Sequence, residues 1–186
     1  PNGALRGRIR APGSADEATD WHSLGLVDRE LGRPRDALVK WERALDIMDA
    51  QRGKLAGGDR AGFIGRYAVL YQDPIQLLLD QRRAAEAFVV SERLHARAML
   101  SLLGHRSQPT DGLTEEPQPL DLARARAALD PGVILLAYAV LRRTTAVFVV
   151  RGPDLPGPGV SAFVVPQGAA ELRDRVVIFR GLIERG

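Results

Sequence analysis

Few side chains in this sequence are of a kind that could do covalent or metal chemistry. The 186 residues contain three histidines, His22, His95 and His105, and no cysteine. The lack of cysteine excludes disulfides, thiolate metal sites and a thiol nucleophile from these residues. A serine nucleophile needs an imidazole within hydrogen-bond reach to take its proton. Ser91 lies four residues before His95, so on a helix the two could meet on one face. The plainer expectation is a small serine at a core edge and a solvated histidine, and no catalytic residue is assigned. Metal ligation needs three or four ligands converging on one point. The sequence has neither an H-x3-H nor an H-E-x-x-H spacing, so no metal or other cofactor is expected. The glycine-rich stretch "GPDLPGPG" at 152–159 lacks a following Lys-Ser/Thr, and its prolines remove backbone donors. It reads as a connection between strands.

Charge gives little more. Lys+Arg number 26 against 23 Asp+Glu, a net charge of +3, and Lys40 and Lys54 are the only lysines. The signs are interleaved ("DRELGRPRD", "LARARAALD") rather than segregated. A nucleic-acid surface needs clustered cations that displace counterions, so nucleic acid is not an expected partner. Arg82, Arg83, Arg93, Arg97 and Arg106 lie near one another in sequence, with Asp80, Glu86 and Glu92 among them. Exposed helix pairs of this kind contribute only about 0.3 kcal/mol each. No stretch is apolar enough to span a bilayer, and "PNGALRGRIRAPGSADEATD" has no signal-peptide core, so a cytoplasmic location is expected. The sequence begins without methionine, which suggests a fragment or a processed chain.

The elements that would carry these residues are mostly helical. In "DWHSLGLVDRELGRPRDALVKWERALDIMD", Trp21, Leu24 and Gly25 are followed by Ala37, Trp41 and Ala44. This spacing resembles a tetratricopeptide (TPR) repeat, two antiparallel helices in which small residues sit at the crossing and aromatics fill the space beside them. Gly25 and Ala37 take the small places, Trp21 and Trp41 the large ones. Gly32 suits the end of the first helix and Pro34 the start of the second. Asp28 stands where the pattern usually has tyrosine.

A second, less regular pair follows. Phe63, Ile64, Tyr67, Leu70, Tyr71, Leu77 and Leu78 share a helical face, and Pro74 either kinks that helix or restarts it behind Asp73. "RRAAEAFVVSERLHARAMLSLLG" supplies the partner helix, with Ala87 fifty residues after Ala37 rather than the usual 34. Residues 1–17 are expected to be a flexible N-terminal segment and 18–103 TPR-like repeats. Residues 104–119, polar and rich in proline and glycine, read as a linker. From 120 to 186 an α/β segment is expected. It comprises a short helix, a β-hairpin with arms 133–141 and 144–151 about Arg142-Arg143, a third strand "VSAFVV", and a helix carrying Leu172, Val176, Phe179 and Ile183. The expected class is therefore mainly α, a helical-hairpin solenoid followed by a small α/β segment.

The order of helical repeats, "EAFVVSERLHARAMLSLLG", linker and "DPGVILLAYAVLRRTTAVFVV" resembles the junction between TPR repeats and a CHAT domain, the caspase-like peptidase domain that follows TPR arrays in bacteria. The resemblance carries Tyr138 in the family's aromatic place. It implies a regulated bacterial protease as the parent protein. The family's catalytic histidine and cysteine have no counterpart in this sequence, so the segment itself would be catalytically silent. The implied partners are the remainder of the CHAT domain and a protein or peptide held on the helical array. Trp21, Asp28, Tyr67 and Tyr71 are the candidate contacts for such a partner. Open strand edges would also favour association with another copy. The alternative reading is a stand-alone TPR adaptor without peptidase activity.

Overall fold

The computed structural model describes residues 12–53, 66–104 and 121–184. It is mainly helical with one small three-stranded antiparallel sheet. Contacts divide the chain into two compact units, Pro1–Leu70 and Tyr71–Gly186. The second helical pair thus clusters with the sheet. The segment read as a linker lies, but for Gly104, outside the described residues, as do residues 1–11 of the N-terminal segment.

The first unit holds helices α1 (Ala15–Glu30) and α2 (Pro34–Gly53). Ser14 opens α1: its Oγ accepts from the Glu17 backbone N–H at 3.2 Å, while the Glu17 carboxylate reaches back to the Gly13 N–H. That reciprocal cap satisfies donors which a helix start would otherwise leave unpaired. At the other end the Arg33 N–H donates to the Asp28 carbonyl at 2.8 Å and the Gly32 N–H to the Arg29 carbonyl at 3.0 Å. Closing the turn this way requires a left-handed residue, and Gly32 supplies it at φ +71°. Pro34 then starts α2, where a missing N–H costs nothing.

Between these helices Ala18, Ala37, Trp41, Ala44, Leu45 and Met48 are buried. A side chain at Gly25 would overlap the Trp41 indole, so the glycine is what lets the ring lie across α1. The ring's polar edge is also satisfied, since Trp41 Nε1 donates to the His22 carbonyl at 3.0 Å. Trp21, expected to fill the same interhelical space, is only half-buried and donates to Glu17 Oε1 at 3.2 Å; Leu24 is 49% exposed.

The second unit begins with α3 (Val69–Asp80) and α4 (Ala84–Gly104). Pro74 lies inside α3, so the helix continues through it rather than restarting. The turn to α4 repeats the first turn bond for bond: Arg83 N–H to the Leu78 carbonyl at 2.8 Å, and Arg82 N–H to the Leu79 carbonyl at 2.9 Å. Here the left-handed position is Arg82, at φ +60°.

A six-residue helix, α5 (Leu122–Ala127), is capped by Asp121, whose Oδ1 accepts from the Arg124 N–H at 2.7 Å. Strands β1 (Ile134–Val140), β2 (Thr145–Arg151) and β3 (Val160–Val165) follow in the order β1-β2-β3. Register places Ala137 opposite Phe148 and Phe148 opposite Ala162. Alternation then sorts the sheet into two faces. Ala139, Ala146, Phe148 and Val150 are buried on one, whereas Ile134, Leu136, Tyr138, Val140 and Phe163 are exposed on the other. Both faces are apolar, the composition of strands covered on two sides rather than one. Helix α6 (Ala169–Ile183) has no buried residue, and its stripe of Val176, Phe179 and Ile183 is exposed.

Candidate partner-binding site

The residues assigned to a partner fall into different settings. Asp28 is buried on α1, and its carboxylate pairs with the Lys40 ammonium of α2. The charge is thus held within the helical pair, not presented at its surface. Tyr71 is buried in the second unit, Tyr67 is half-buried in the first, and both make polar or ring contacts. Trp21, like Tyr67, is a partly open aromatic, and its N–H is oriented along α1 through Glu17. The Glu17 carboxyl is held below its ordinary value, chiefly by the Gly13 N–H and then by Trp21.

The residues expected at the helix crossing are better gathered. Gly25, Ala37, Trp41 and Ala44 meet in one interlock at the crossing of α1 and α2. Sequence reasoning missed two of its members. His22 is buried with its ring stacked on Trp41 at 6.0 Å, and Lys40 neutralises Asp28. The signal for Lys40 was present, because it is one of only two lysines in the chain.

Ser91 is fully buried and engaged in polar contact; the His95 side chain and all of His105 lie outside the described residues. Among the described residues no group of three His, Cys, Asp or Glu could hold a metal ion, and no helix is long and apolar enough to cross a membrane. Of the arginines, Arg83 forms a forked pair with Glu86, with Nε to Oε1 at 2.7 Å, while Arg93 is buried. The pair holds the Glu86 carboxyl below its ordinary value, and burial raises that of Glu92.

The "GPDLPGPG" connection is fastened by a residue not singled out in the sequence. Arg126 of α5 donates through Nε to the Arg151 carbonyl at 2.9 Å and lies against Gly159. Asp154 accepts from the Gly132 N–H at 2.8 Å, tying the same loop to the turn before β1. These bonds fix the path of the loop.

The chain matches no family model, and no curated protein or solved structure is significantly similar to it.

Proposed function

We propose that this chain joins a TPR-type interaction segment to the first strands of a CHAT, caspase-like domain, within a regulated bacterial protease of the cytoplasm. The observation that carries the reading is the small sheet packed on the second helical pair. Phe148 of its central strand lies edge-on to Phe88 of α4, with ring centroids 5.8 Å apart. Three strands with two apolar faces make a sheet too small to stand alone, and one that further structure would complete. Among the described residues β1 and β3 each have one strand neighbour, which leaves both edges for extension. The helical pair α1/α2 supports the TPR half through its Gly25–Trp41 interlock. A protein or peptide partner would engage the helical array near Trp21, and the segment itself would perform no bond cleavage.

The test is the native reading frame past Gly186. A His-Gly motif followed by a cysteine is expected there, and the longer product should cleave a protein substrate in a way abolished by replacing that cysteine with alanine. A frame without them overturns the peptidase reading and leaves the stand-alone adaptor.

A further inference from the structure

If a partner on the helices is to influence the sheet, something must connect the two. The covalent route runs through residues 105–120. A second route runs through space. Phe88 of α4 and Phe148 of β2 are both fully buried and meet edge to face, at an interplanar angle of 70°. On α3, the Gln76 Oε1 accepts from the Thr144 hydroxyl at 3.1 Å, at the turn that leads into β2. Each of the two helices therefore grips the central strand or its entry, from residues 60 and 68 positions away in sequence. Helix α4 also packs along β3 and α5. Close-packed aromatic contacts transmit displacement because they have no slack to absorb it.

We propose that α3 and α4 are coupled to the sheet through Phe88–Phe148 and Gln76–Thr144, with the connection through 105–120 contributing little. The proposal rests on the sensor reading only for its use; the coupling itself is a property of this chain and is measured without a partner or a peptidase.

Amide hydrogen exchange on the 186-residue chain tests it. Phe88→Leu is expected to lower protection of the β2 amides and of the α4 amides together, by about tenfold. Phe148→Leu should do the same. The double variant should lose less than the product of the two losses, since both truncate one contact. Arg82→Gly acts from the α3–α4 turn, where it relieves a left-handed arginine. It should raise β2 protection about threefold. Inserting a flexible Gly-Ser segment after residue 112 should leave β2 protection unchanged. The proposal is overturned if Phe88→Leu weakens α4 alone, or if the insertion lowers β2 protection as much as Phe88→Leu does. Failure here leaves the reading-frame test unaffected, and failure there leaves this one standing.

Discussion

The two helical pairs are the same device built from inverted parts. Their turns carry the same hydrogen bonds at positions fifty residues apart, so α1/α2 and α3/α4 can be compared place by place. At the places fifty residues after Gly25 and Trp41, the second pair has Ile75 and Ser91, all four in the interior. Where the first has the ion pair Asp28–Lys40, the second has Leu78 and Val90, both buried. The left-handed turn residue is Gly32 in one and Arg82 in the other. What the two share is backbone geometry and the fully buried Ala37 and Ala87. The first pair places its one large interior side chain, Trp41, opposite a glycine, whereas the second has two side chains of intermediate and small size at the corresponding places.

The strongest way to break this comparison is at the crossing. Trp41→Ser gives α2 the residue that α4 carries, and should cost about 3–5 kcal/mol in urea denaturation because it leaves a large cavity. Adding Gly25→Ile should recover part of that loss, although Gly25→Ile alone overlaps the Trp41 ring and destabilises. Additive losses from the two would show that the inversion is coincidental.

The ion pair comes next. Lys40→Val leaves the Asp28 carboxylate buried without its partner, for a cost of about 1–3 kcal/mol. Asp28→Leu with Lys40→Val reproduces the pair at 78 and 90, and its midpoint should return to the parent value or exceed it. If the double variant is as weak as the single, the pair holds something the apolar version does not.

At the turns the signs should oppose. Gly32→Ala forces a Cβ into the left-handed region and should cost about 1 kcal/mol, whereas Arg82→Gly removes such a Cβ and should gain up to about 1 kcal/mol. The smallest effect belongs to Glu92, whose carboxyl is raised by burial. Between its ordinary and its raised value the folded state binds more protons than the unfolded one, so stability falls as pH rises through that window. Glu92→Gln should flatten that fall and be more stable than the parent above it. Thermal midpoints taken across the acid range check both the sign and the window.

Much of the fold was legible because its signals are local. The Gly32–Pro34 turn and the β-branched arms around Arg142-Arg143 each act within a few residues, and helices and strands arise where they point. Pro74 was ambiguous, since one sequence is compatible with both a kink and a restart; the helix runs through it. The site was less legible. Tyr71 reads as a candidate contact because aromatics suit binding surfaces, but it also suits a core, and burial decided for the core. Trp21 went the other way: its spacing in the sequence does not say how far the ring is covered. Asp28–Lys40 and Phe88–Phe148 join positions 12 and 60 residues apart, and nothing in the neighbourhood of either partner announces the other.

The opposed crossings bear on how the chain reaches its fold during synthesis. Helical pairs joined by turns with the same hydrogen bonds can exchange partners during folding. Here a wrong pairing penalises itself. Joining α1 to α4 would set Gly25 against Ser91 and leave a hole, while joining α3 to α2 would drive Ile75 into the Trp41 ring. The divergence between the two pairs would thus disfavour an exchange of helices between them.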